Sequence, residues 1–466
     1  MTATLTHTLG SAGRLRILDE AALDRLDAAA LRILAEAGAA VPSAAAAGPL
    51  LAEGAAARGD VVTIPPGVVR RLVARAPRRL TLGARAAAPL VTGGGALMTT
   101  DGCCVEIYDF ASGEKRPTEA DDVAAISRVV DAMPEIDFCW PAVSAQDRPA
   151  ETRGLHELYL ALANTGKHVQ TVTVVEPQLA EVAVEMARVV AGSEERLRAE
   201  PPVSALLGTV TPLGNDPGTL EAGLVFARAG LPVGFVTMPM GGSTTPVTMA
   251  GSLAVGLAEA LAAVCIVQAA VPGAPVFICF IPSIMDLKTG DFTGGAPEDT
   301  LMGAAVADVG HRWGLPTQCG VNSSGAKEPG WQSALDDTTT TFLSLAAGVD
   351  MLTGVGMVSG GRIFSLEEMA LAAETLSQTR AIAAGLPGCG PRQAPCDAAP
   401  APAGRRPWSR EASLMVTEPY REWAAGGRVT ARDRAHERVR RILEGHQPPP
   451  LDARVDAALR RLAGAA

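Results

Sequence analysis

Four short returns constrain this chain more than any other feature. Gly230-Leu231-Pro232, Gly273-Ala274-Pro275, Gly314-Leu315-Pro316 and Gly348-Val349-Asp350 each join a helical pattern to a short apolar run. Glycine takes the left-handed conformation that ends a helix, and the next strand then begins almost at once. Around these returns the strand patterns FCWPAV, HVQTVTVV, VSALLGTV, VGFVTM, PVFICFI, LPTQCGV and DMLTGVGMV alternate with helical patterns near 151–164, 178–192, 217–229, 246–270, 298–313, 331–347 and 366–385. Helix starts are chemically marked. Asp216-Pro217 and Thr245-Pro246 set a capping side chain before a proline at the first helical position, and Ser365-Leu366-Glu367-Glu368 is a capping box.

Seven β-then-α units with buried-type strands predict an all-parallel sheet covered by helices. Units this short predict an α/β fold of the (β/α)8 TIM-barrel type. An open doubly wound sheet is the alternative. The eighth unit is not clear; the N-terminal layer is one place it could come from. The 466 residues divide into an N-terminal α+β layer packed on the barrel (1–135), the barrel (136–385), a Pro/Ala-rich irregular segment (386–410) and Arg-rich C-terminal helices (411–466).

Composition narrows the function. A net charge of −10 argues against nucleic acid as a partner. The eight cysteines form no CxxC pair, and no two of the six histidines have metal-ligand spacing, so no metal site is expected. With no apolar signal-peptide core in MTATLTHTLGSAGRLR, this fits a reduced, cytoplasmic protein. The apolar stretch Val247 to Ala270 holds Glu259 and Gln268 and reads as a buried helix, not a membrane span. There is no nucleophile elbow and no GxGxxG fingerprint.

The returns are tight while the strand-to-helix loops are long. In a β/α barrel those loops share one face, where the active site lies. GGSTTPVT offers an anion cradle of Gly241, Gly242, Ser243 and Thr244 before a helix; an ordinary helix start is the alternative. MDLKTGDFTGGAPED offers Asp286 as an acid, a base or a counter-charge to a cation, or else as a turn cap. SSGAKEPGWQ brings together Lys327, Glu328, Trp331 and Gln332; a Trp beside acids suits a quaternary ammonium, and the first core contact of its helix is the equal alternative. Trp140 and Phe280 lie near strand ends, fit for the same cage or for the core.

In this order, GGSTTPVT, MDLKTGDFTGGAPE, GVNSSGAKEPGWQ and AGVDMLTGVGMVSGGRIFSLEE resemble the trimethylamine methyltransferase (MttB-like) family over residues 15–385. The resemblance implies a barrel enzyme that moves a methyl group from a methylated amine to the cob(I)alamin of a separate corrinoid protein. It implies no tightly bound cofactor. This chain contains no pyrrolysine, which points to the members linked to quaternary amines such as glycine betaine. Carried onto these motifs, Asp286, Glu298, Lys327 and Gln332 are the catalytic candidates, with Asp286 and Glu298 supplying charge near the cation. Asn322 and Lys327 would contact a substrate carboxylate or the corrinoid. The chain departs from the pattern at Thr353, where members often carry a His, and at LMVTEPYREW. A homo-oligomer is also expected.

Overall fold

The computed structural model describes residues 14–321, 323–384 and 414–464. Asn322 and the Pro/Ala-rich segment 386–410 therefore lie outside the described residues. Seven strands build the central sheet: β1 (Leu97–Thr100), β2 (Val169–Thr171), β3 (Val203–Gly208), β4 (Val233–Thr237), β5 (Val276–Phe280), β6 (Thr317–Gly320) and β7 (Met351–Val355). They bond in the order β1-β7-β6-β5-β4-β3-β2, and every neighbouring pair is parallel. This is the sheet of an α/β barrel. β1 comes from the region read in the sequence as the appended layer. The run FCWPAV forms no continuous strand and pairs only through isolated bridges, at Phe138, Cys139 and Val143. Phe138 bridges Thr99 of β1 and Cys139 bridges Val169 of β2, both parallel, so the two edges of the sheet meet through this segment.

The glycine returns behave as their spacing predicts. Gly230, Gly273, Gly314 and Gly348 have φ of 80°, 81°, 67° and 85°. Asp216 accepts the Thr219 amide at 2.9 Å, and Ser365 accepts that of Glu368 at 3.2 Å. Thr245-Pro246 does not open a helix. That helix runs Met249–Ala270 and is capped by Thr248, whose hydroxyl accepts the Gly251 amide at 3.3 Å.

Side chains from β3, β5 and β7 meet only inside the barrel. Phe138, Trp140, Leu206, Val236, Phe277, Cys279 and Met351 form that inner cluster, with Leu80 and Leu82 from a separate hairpin region. Gly234 on β4 leaves the room that Phe277 fills: a Cβ there would stand 2.2 Å from the Phe277 ring. Outside, the helix Met249–Ala270 packs on β4 and β5 and under the helices Glu20–Glu36, Ala44–Ala52 and Pro66–Val73. It is long and apolar enough to cross a membrane, yet 83% of its most apolar window is buried inside the protein. The C-terminal helices Ala431–Gly445 and Ala453–Ala463 lie against the barrel's outer helices.

Candidate active site at the barrel mouth

The first residue after β1 is the one best placed for chemistry. Asp101 is 5% exposed. It accepts the Gly102 amide at 2.5 Å. Burial pushes its carboxyl up to about 6, against the smaller pull of the Gly102 amide and the Thr353 hydroxyl. Among the described residues no Lys, Arg or His pairs with it. Thr353, in the middle of β7, is fully buried and donates to the Thr100 carbonyl at 2.7 Å. Trp140 lies on the other side of β1, tied to it by the Thr100 hydroxyl, which donates to the Trp140 carbonyl at 2.6 Å. Its indole is 3% exposed and its N–H has no partner. A buried donor and a buried carboxyl without a counter-charge thus share the strand ends at the mouth.

The barrel interior below is polar in one layer. Gln170 of β2 and Gln318 of β6 exchange amide hydrogen bonds of 2.9 and 3.3 Å across it. His168 bridges the Gly83 carbonyl and the Ser204 hydroxyl, each at 2.8 Å. Burial holds its imidazole down at about 4, so it is neutral at ordinary pH. Glu157, which like Asp101 acts on Cys103, accepts the Ala145 amide at 2.9 Å and the Thr173 hydroxyl at 2.6 Å. Burial raises its carboxyl. The Cys103 thiol is raised by burial and by the carboxylates of Glu157 and Asp101, so it is inert as a nucleophile.

Glu259 shapes the rim. It projects from the helix Met249–Ala270 and gathers the loop after β3: Oε2 accepts the hydroxyls of Thr209 (3.1 Å) and Thr211 (2.9 Å), and Oε1 the Leu213 amide (2.7 Å). Replacing Glu259 by Ala leaves three donors without their acceptor. We expect a loss of about 1–3 kcal/mol in denaturant unfolding, with a smaller loss for Glu259→Gln, which keeps one acceptor oxygen.

The residues singled out from the sequence are scattered over this face. Asp286 is exposed, and its carboxylate accepts the amides of Lys288 (2.7 Å) and Thr289 (3.3 Å), a local turn cap. Glu298 sits half-buried in the first turn of the helix Pro297–Trp313, next to Asp299, whose carboxyl burial raises to about 6. Lys327 and Arg362 both reach Asp291, at 3.9 and 3.0 Å, tying three loops together on the surface. Gln332 is exposed and Trp331 is 80% exposed, so the indole closes no cage here. Phe280 is fully buried but belongs to the layer between sheet and helices, outside the inner cluster. The glycine-rich turn uses its donors internally: Gly242 bonds the Thr245 carbonyl, Ser243 and Thr245 bond that of Met240, and the Thr244 hydroxyl takes the Met240 amide. Of the named residues, Trp140 and Thr353 are brought together, and the residue between them, Asp101, was not singled out. Among the described residues no cluster of three His, Cys, Asp or Glu could hold a metal ion.

Residues 2–401 match the family model for trimethylamine methyltransferase (MTTB). The chain belongs to the trimethylamine methyltransferase family. It is 30% identical over 417 residues to a trimethylamine methyltransferase of Desulfitobacterium hafniense, covering 86% of this chain and 84% of that protein. The counterpart from Methanosarcina barkeri is 29% identical over 411 residues, covering 84% and 83%. A glycine betaine methyltransferase of Desulfitobacterium hafniense is 26% identical over 422 residues, covering 87% and 88%. The crystal structure of the Methanosarcina barkeri monomethylamine methyltransferase aligns with a TM-score of 0.55 at 12% identity, over 94% of this chain and 90% of that one, a likeness of fold.

Proposed function

We propose that this member of the family moves a methyl group from a quaternary amine, such as glycine betaine, to the cob(I)alamin of a separate corrinoid protein. Asp101 carries the reading: a buried carboxyl at the barrel mouth with no basic partner among the described residues. Burying a charge without a counter-charge is costly, and a ligand with a permanent positive charge relieves that cost. A quaternary ammonium has no N–H to donate, so it takes a carboxylate and an aromatic face, and Trp140 stands on the neighbouring segment. Family membership and the likeness to a glycine betaine methyltransferase support the same class.

The chemistry asks the protein to hold and aim. The reduced cobalt supplies an electron pair to the methyl carbon, the C–N bond breaks, its pair stays on nitrogen, and a neutral tertiary amine leaves. Asp101 meets full positive charge in the ground state and none in the products, so it is a binding and aiming group rather than an accelerator of the bond-breaking step. Around the mouth Val210, Met238, Val247 and Leu287 are 58, 53, 71 and 69% exposed, an apolar rim that suits a macromolecular methyl acceptor. Counting residues 138–139 as a stave gives the full (β/α)8 barrel, with the N-terminal layer and C-terminal helices appended. The six described cysteines are free, which supports a cytoplasmic location.

A second reading is a barrel that binds a quaternary amine without transfer, favoured by the wholly buried Thr353 beside Asp101. Mass spectrometry of the amine separates the two. With reduced corrinoid protein present, the proposal expects conversion of a quaternary amine to its tertiary amine. Binding without any demethylated product would leave only the second reading.

A further inference from the structure

We propose that the Thr99 hydroxyl and the Trp140 indole N–H form the subsite for an anionic oxygen of the substrate, so that the barrel selects short zwitterions over plain quaternary cations. The inference rests on the reading of Asp101 as the place of the cation. Thr99 is fully buried on β1, and its hydroxyl has no hydrogen-bond partner among the described residues. The buried Trp140 N–H is in the same state. Buried polar groups are nearly always paired, so two neighbouring unpaired ones point to a missing partner.

Strand geometry makes them neighbours. Successive side chains of a strand alternate between its two faces. Leu97 of β1 packs on the inner cluster and Met98 belongs to the outer one, so Thr99 faces the barrel interior. Asp101 follows two positions on, nearer the mouth. Burial, and then the carboxylate of Asp101, raise the thiol of the inner residue Cys279, so Asp101 faces inward too. On one side Thr99 bridges Phe138 in parallel register, which sets Trp140 level with Asp101; both aromatic rings are in the inner cluster. On the other side Thr99 pairs with Thr353, whose hydroxyl is already engaged by the Thr100 carbonyl.

Charge sets the class of ligand. An indole N–H only donates, so what this corner lacks is an acceptor. A carboxylate is a strong one, but beside Asp101 it is repelled unless a positive charge stands between them. A zwitterion with ammonium and carboxylate on a short carbon link meets both demands. Its cation lies against Asp101, and its carboxylate lies one strand step deeper, on Thr99 and Trp140. That order along the barrel axis turns the N-methyl groups toward the mouth, where a methyl acceptor arrives. A cation without an acceptor oxygen leaves both donors unpaired. Lys327, the carboxylate contact implied by the family resemblance, has a side chain 68% exposed beside Asp291.

Isothermal titration calorimetry of the full chain with glycine betaine and with tetramethylammonium tests this without any corrinoid protein. Wild type is expected to bind the zwitterion roughly 100-fold more tightly than the plain cation. Thr99→Val keeps the side-chain shape and removes the hydroxyl; Trp140→Phe keeps an aromatic ring and removes the N–H. Each is expected to shrink the ratio of the two affinities by roughly 10-fold. Thr99→Val should not lower the melting temperature of the empty protein, because the hydroxyl it removes has no partner there. Equal wild-type affinity for the two ligands, or an unchanged ratio in either folded variant, overturns the subsite and leaves the cation at Asp101 standing. Binding of neither ligand overturns both. If Trp140→Phe does not fold, Thr99→Val carries the test.

Discussion

Asp101→Asn is expected to raise KM for the quaternary amine by roughly 10²–10³-fold, because a buried charge pair loses one member. Since the positive charge is gone in the products, kcat should fall far less than kcat/KM. Stability moves the opposite way. The carboxyl titrates near 3.8 unfolded and near 6 in the empty fold. A folded value raised above the unfolded one means that this group's contribution is complete below pH 4 and is lost as pH rises through 6. The loss is on the order of 3 kcal/mol. Asn carries no charge at any pH, so the empty variant should be more stable than wild type at pH 8 and equal to it at pH 4, measured by denaturant unfolding. Bound cation favours the ionised carboxyl, so wild-type affinity should fall below pH 6 while that of Asp101→Asn stays flat. A residue with a merely structural role would lose stability and activity together.

Phe277→Ala is expected to cost about 3–5 kcal/mol of unfolding free energy, among the largest effects of any single change in this chain. The ring is 1% exposed inside the barrel, against Leu206, Val236 and Met351. It fits only because Gly234 has no side chain there. Gly234→Ala alone drives a methyl into the ring and should cost about 1–3 kcal/mol. The two sites touch, so the double variant Gly234→Ala with Phe277→Leu should lose less than the sum of the single losses. Strict additivity in denaturant melts would mean that the two side chains do not share one space.

The barrel was legible because its signals are local. A left-handed glycine at 230, 273, 314 or 348 is needed whatever packs around it. The segment at 138–139 was only half legible, since isolated bridges in a run broken by Pro141 do not mark where a strand begins or ends. β1 is legible as a strand, but its distance in sequence from the regular repeats set it with the appended layer rather than the barrel. That placement concealed the site. Asp101 follows β1 in TTDGCC, with the same strand-then-glycine form as the later mouth loops, but it gains meaning only once β1 is seen beside β7 and Trp140. Asp286, by contrast, looked functional because its loop is long, and the same DLKT sequence suits an aspartate that caps its own turn. Trp331 was chosen for its aromatic ring among acids, yet no sequence pattern tells which side of a helix's first turn faces the barrel mouth.

The central claim is that a cation held at Asp101 gives its methyl group to cobalt. Anaerobic mixing with cob(I)alamin on a corrinoid protein, using methyl-deuterated trimethylamine, glycine betaine, carnitine and proline betaine, measures it directly. The account predicts that one quaternary amine moves its deuterated methyl to cobalt in equal proportion to the tertiary amine formed, that trimethylamine does not, and that Asp101→Asn needs far more substrate to do so. Transfer from trimethylamine alone, or equal KM values for wild type and Asp101→Asn, would contradict it.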